Sequence, residues 1–149
     1  MKLSLDIAID GSREAIWAVI SDIENAVDRI SGIDKIEIHE KPESGLVGLK
    51  WTETRTLFGK SATETMWITE ESPNEYYKTR AENHGAIYTS GLRILERDGK
   101  NYLEMFFESE PQTFMAKVMS KLMGFMFKKA TIKALQQDLD DIKKAVEST

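Results

Sequence analysis

Glu53, Arg55 and Glu64 are the residues whose type and spacing most invite chemistry. Glu53 and Arg55 lie two positions apart, so in a strand they share a face. Between them and Glu64, Phe58-Gly59 reads as a two-residue hairpin turn that opposes Glu53 to Glu64, Trp51 to Met66 and Leu49 to Ile68 on that face. Two desolvated carboxylates repel, so one keeps its proton or both lean on Arg55. A protonated carboxyl in apolar surroundings can act as a general acid or donate a hydrogen bond to a ligand carbonyl, which makes Glu53, Glu64 and Arg55 the candidate catalytic set. The plainer alternative is a solvated rim network or a brace between strands, because structural ion pairs perturb carboxylates as well.

Other chemistry has little to stand on. Cysteine is absent, which removes disulfides, thiolate metal sites and a Cys nucleophile. His39 and His84 fall in different predicted segments without metal-pair spacing, and neither a Gly-rich phosphate loop nor a Ser elbow is present, so no metal and no cofactor is expected. Of Tyr76, Tyr77, Tyr88 and Tyr102, only Tyr88 falls on the face predicted to meet the core.

The elements that must position the carboxylates follow from periodicity. Leu3, Leu5, Ile7 and Ile9 alternate with polar neighbours as a half-buried strand ending at Asp10-Gly11. Ser12 suits a helix N-cap, and Ile16, Trp17, Val19 and Ile20 make an apolar helical face. Ser21 and Glu24 have capping-box spacing, predicting a second short helix. Strands are predicted at about 34 to 41 and 75 to 82, on either side of the first hairpin. Asp98-Gly99 then signals a type I′ hairpin that opposes Leu92 to Met105 and Ile94 to Leu103, with Tyr88 and Phe107 continuing that face.

The segment from Gln112 to Glu147 contains no proline and reads as one long helix with two disagreeing halves. Its first half, rich in Phe and Met, spreads apolar residues over roughly 200° of the circumference, wider than an ordinary core stripe. Ile132, Leu135, Leu139, Ile142 and Val146 make a narrow stripe, about 80° wide, in another direction. A bend at Gly124 would let both stripes reach one surface. Four of the seven methionines fall between positions 115 and 126, which suits either a cavity wall or ordinary core filler.

The bulk numbers agree with one unit. A chain of 149 residues, 41% hydrophobic, is the size of a single domain spanning 1–149. With 25 acidic against 20 basic side chains its net charge is -5, which disfavours nucleic acid as a partner. The N-terminus lacks a signal-peptide core and no apolar run is long enough to span a bilayer, so a cytoplasmic location is expected. Lys117, Lys121, Lys128, Lys129 and Lys133 nevertheless lie in a stretch without acids between Pro111 and Asp138, a pattern that fits transient membrane-surface contact as well as a solvated helix face.

One strand, two short helices, six strands and a long helix, together with Glu53-Thr54-Arg55, Phe58-Gly59-Lys60, Ala62-Thr63-Glu64-Thr65, the run Phe107 to Thr113 and Leu122-Met123-Gly124, resemble a bacterial branch of the START and polyketide-cyclase-like superfamily, known as SRPBCC. The resemblance covers essentially the whole chain. It implies an α+β helix-grip fold, a curved seven-stranded antiparallel sheet wrapped around the C-terminal helix. It also implies a cavity for a small hydrophobic molecule such as a lipid, polyketide or quinone. The expected walls are Trp51, Glu53, Arg55, Glu64, Met66, Tyr88, Leu92, Met105 and Phe107 from the sheet and Met119, Leu122, Met123 and Met126 from the helix. Three functions compete: a non-catalytic carrier or sensor, a cyclase or dehydratase using the carboxylates, and a membrane or protein interaction module.

Overall fold

The computed structural model describes residues 1–57 and 59–148, Leu57 by its backbone only. The strands are β1 (Lys2–Ile9), β2 (Ile33–Glu40), β3 (Lys50–Leu57), β4 (Lys60–Ser72), β5 (Tyr76–Asn83), β6 (Ala86–Arg97) and β7 (Lys100–Pro111). Helix α1 (Arg13–Ile20) and a 3-10 helix (Ile23–Asp28) follow β1, and helix α2 (Phe114–Glu147) ends the fold. All seven strands form one antiparallel sheet in the order β1-β7-β6-β5-β4-β3-β2, so β1 and β2 are its edges and α1 with the 3-10 helix carries the chain from one edge to the other. The sheet curves around α2 in the helix-grip arrangement.

Both predicted hairpin registers hold. Trp51 opposes Met66 and Glu53 opposes Glu64, and the Ile68 amide donates to the Leu49 carbonyl at 3.0 Å. Phe58 lies outside the described residues, so the Phe58-Gly59 turn itself is not characterised. In the second hairpin Leu92 opposes Met105 and Ile94 opposes Leu103, and Asp98 and Gly99 have φ of 52° and 77°, as a type I′ turn requires. Ser12 caps α1 as expected, accepting from the Ala15 amide at 3.1 Å.

Two local expectations fail for physical reasons. Ser21 does not open a capping box: its hydroxyl turns back to donate to the Trp17 carbonyl, and Asp22 takes the N-cap position of a 3-10 helix without a side-chain cap hydrogen bond. The Asp22 carboxylate instead accepts from Asn25 and from Arg29. Nor do both stripes of α2 reach the sheet: the helix is continuous through Gly124, the Phe and Met arc of its first half is exposed, and the C-terminal stripe is the one buried. Leu139, Ile142 and Val146 pack with Ile9, Ile16, Ile20, Leu103 and Ile94 in the core. Burying a large aliphatic side chain contributes roughly 1.5–3 kcal/mol, so this stripe fixes the helix and the apolar first half follows its phase.

Candidate functional site

Between the sheet, α1, the 3-10 helix and the middle of α2 lies a cavity of about 730 Å³. The even spacing of the inner face brings Trp51, Glu53 and Arg55 from β3 and Glu64 and Met66 from β4 to its wall. Tyr88 and Leu92 from β6 and Met105 and Phe107 from β7 complete the sheet side. The rings of Tyr88 and Phe107 lie 5.8 Å apart, and Phe107 lies 6.3 Å from Phe127 of α2.

The helix side differs from expectation. Met119, Leu122, Met123 and Met126 do not line the cavity and are exposed. Phe127, Ala130, Thr131, Ala134, Leu135, Asp138 and Ile142 line it instead. The reason is phase: at about 100° per residue the wide apolar arc is centred roughly 140° away from the buried stripe, so a continuous helix cannot turn both inward. Small residues at 130, 131 and 134 leave the space that bulky ones would have filled.

Arg55 is the electrostatic centre. Its Nε donates to Glu53 Oε2 at 2.6 Å, while its two terminal nitrogens form a fork on Asp138 at 3.1 and 2.8 Å. The three side chains keep only 21%, 14% and 8% of their surface for Arg55, Glu53 and Asp138. Burial opposes the Arg55 charge, yet Glu53 and then Asp138 hold its pKa above the ordinary value. Burial pushes the Asp138 carboxyl above its usual range, and the Arg55 fork offsets only part of that rise because one cation serves two carboxylates. Asp138, absent from the sequence-based set, ties the final helix to the sheet through this bridge.

Glu64 stands apart from the bridge. Burial, and then the Glu53 charge opposite it, push its carboxyl above the ordinary range, with His84 and Arg55 offsetting part of the effect. Among the described residues its buried Oε1 has no hydrogen-bond partner, and neither has the Trp51 indole nitrogen. Tyr77, missed in the sequence, is 8% exposed and also lines the cavity. Burial, with the Glu53 and Asp138 charges, keeps the Tyr77 hydroxyl pKa well above its ordinary value. Burial and the Glu64 charge raise Tyr88 likewise. Reading His84-Gly85 as a two-residue turn would have found Tyr77, since that register opposes it to Leu92. The cavity thus has an aliphatic and aromatic body and a polar wall holding a fixed ion bridge, a carboxyl that resists ionisation and two phenolic hydroxyls. Among the described residues no group of three or more His, Asp or Glu side chains is placed to hold a metal ion.

No protein-family model matches the chain, and no curated protein matches it in sequence. Solved structures match its fold. A START superfamily protein from Mycobacterium smegmatis superposes with a TM-score of 0.78 at 16% identity, covering 99% of this chain and 97% of that one. The Zhui aromatase/cyclase from Streptomyces sp. R1128 gives 0.74 at 14% identity over 99% and 93%. Ginseng major latex-like protein 151 from Panax ginseng gives 0.77 at 12% identity over 97% and 96%. The chain therefore has the START-like helix-grip fold, and identities this low establish the fold alone.

Proposed function

We propose that the protein binds a small hydrophobic molecule in this cavity as a carrier or sensor. The observation that carries the reading is a 730 Å³ void, apolar over most of its wall, beside a buried carboxylate oxygen of Glu64 without a partner. Ligand pockets fall at about 300–1,000 Å³ and combine an apolar lining with a few convergent polar groups. A buried polar atom left unmatched normally costs about 1–3 kcal/mol, which a ligand can recover. The apolar body of the ligand would rest on Met66, Leu92, Met105 and Phe107. An acceptor oxygen, such as a ketone or phenol, would take a hydrogen bond from a Tyr77 or Tyr88 hydroxyl, or from the Glu64 carboxyl in its protonated form.

Native mass spectrometry of the protein isolated from its own source should reveal a bound apolar compound. Titration with the neutral probe N-phenyl-1-naphthylamine should give saturable fluorescence that Ala134→Phe, which fills the helix side of the void, removes without lowering the melting temperature. No co-purified compound, together with probe binding indifferent to Ala134→Phe, would overturn the reading. The raised pKa of Glu64 also favours a second reading, general acid catalysis of a cyclisation or dehydration. Glu64→Gln separates the two: it abolishes turnover while sparing affinity in an enzyme, and alters affinity alone in a carrier.

A further inference from the structure

The first half of α2 presents an apolar surface that the fold leaves uncovered. Phe125 is 82% exposed, Phe114 78%, Leu122 76%, Met115 68% and Met126 60%. At about 100° per residue these five share roughly 120° of the helix, so they form one continuous strip. Water-exposed strips of large apolar side chains on a folded chain mark an interaction surface. The charge beside the strip identifies what it meets. Lys117, Lys121 and Lys128 run along one edge, Lys129 and Lys133 follow at its C-terminal end, and all five are exposed without an ion pair among the described residues. No acid occurs from Gln112 to Gln137, although the chain as a whole carries a net charge of -5.

From this geometry we infer that α2 docks on an anionic lipid surface, with Phe114, Leu122, Phe125 and Met126 entering the boundary between headgroups and acyl chains and the lysines engaging the headgroups. An apolar strip flanked by lysines, on a helix lying in the plane of the interface, has the required amphipathic form. Long lysine stems can lie against the apolar layer while their ammonium groups stay in the headgroup region. Attachment is peripheral, as no helix among the described residues is long and apolar enough to cross a bilayer. A second copy of the chain is the poorer occupant, because two such helices packed together would bring like-charged lysine edges close to one another. The strip ends where Phe127 meets Phe107, so the docked face borders the cavity wall. Docking itself does not depend on what the cavity binds.

Vesicle flotation of the full chain tests the inference. It should float with vesicles of equal parts phosphatidylcholine and phosphatidylglycerol, and less as salt is raised, since the attraction falls off within a Debye length. Lys121→Gln and Lys128→Gln should each lower the partition coefficient about fivefold. Leu122→Asp with Phe125→Asp should abolish flotation, and unchanged circular dichroism and melting temperature would show that the fold is intact. Absence of binding to the anionic vesicles, or equal binding to phosphatidylcholine alone, overturns it. So does a dimer in sedimentation that Leu122→Asp dissolves, because the strip would then be occupied by a second copy.

Discussion

Replacing Arg55 by Met should be among the most damaging single changes that leave the hydrophobic core untouched. The substitution keeps much of the side-chain volume but withdraws the cation that, among the described residues, alone pairs with Glu53 and Asp138, which are 14% and 8% exposed. Removing one partner of a buried ion pair destabilises by about 3–5 kcal/mol, since the remaining charge stays desolvated. For a chain of this size that corresponds to a melting temperature lower by about 6–20 °C. The loss must depend on pH in a definite direction. Asp138 already has a folded carboxyl pKa above its unfolded one because of burial, and losing the Arg55 fork raises it further, so its contribution is fully favourable below the unfolded value and is lost as pH rises through the folded value. The deficit relative to wild type should therefore be largest at pH 7 and shrink toward pH 4. A second substitution, Asp138→Asn, should destabilise wild type but relieve the Arg55→Met variant, a reversal of sign that only charge coupling produces. Urea unfolding followed by tryptophan fluorescence measures all four proteins. A deficit below about 1 kcal/mol, the range of exposed ion pairs, or one indifferent to pH, would refute the buried bridge.

Glu64→Gln should behave oppositely. Because the Glu64 carboxyl has a raised folded pKa, its contribution favours folding below the unfolded value and fades as pH climbs through the folded one, so the variant should gain relative to wild type at pH 7 and lose that gain toward pH 4 in parallel urea titrations. Leu139→Ala, at a side chain with 0% exposure, should cost about 2–5 kcal/mol, whereas Leu122→Ala on the same helix should change stability by less than about 0.5 kcal/mol; equal effects would contradict the phase of α2. Gly91→Ala should destabilise by about 1–3 kcal/mol or more in thermal melts, because the added methyl would collide with the Tyr77 carbonyl and the Phe106 ring.

Much of the sheet was legible in the sequence because its turns carry their own geometry. Asp98-Gly99 permits only a tight register, and from it the inward positions of Leu92, Met105 and Phe107 follow by alternation. The helix was legible in extent but not in orientation. Bulky Met and Phe residues draw attention to one arc, while the cavity wall is made by Ala130, Thr131 and Ala134, whose smallness gives no hydrophobic signal. Projecting the phase of Leu139, Ile142 and Val146 backward along the helix reaches Thr131 and Leu135, whereas Ala134 and Ala130 lie about 110° and 150° off it, on the cavity side. The same projection sets Asp138 beside the buried stripe, where an acid needs a cation, and Arg55 was already placed on the facing sheet. What no local pattern encodes is the pairing itself, which joins residues 83 positions apart.

The order of strands also dictates when the cavity can exist. From β3 to β7 each strand pairs with its neighbour in sequence, so that meander can close through short loops. β1 pairs only with β7, Lys2 lying opposite Glu108, and the Met1 ammonium donates to the Ser109 carbonyl at 3.1 Å. β1 leaves the ribosome before its partner has been made and must wait until β7 follows for an edge to join. The helix that roofs the void comes later still. A ligand of the proposed kind would meet its complete site only once β7 and α2 have been made, and would draw each molecule it occupied away from partly folded forms by mass action. Concentration of that ligand would then set how long newly made protein survives proteolysis.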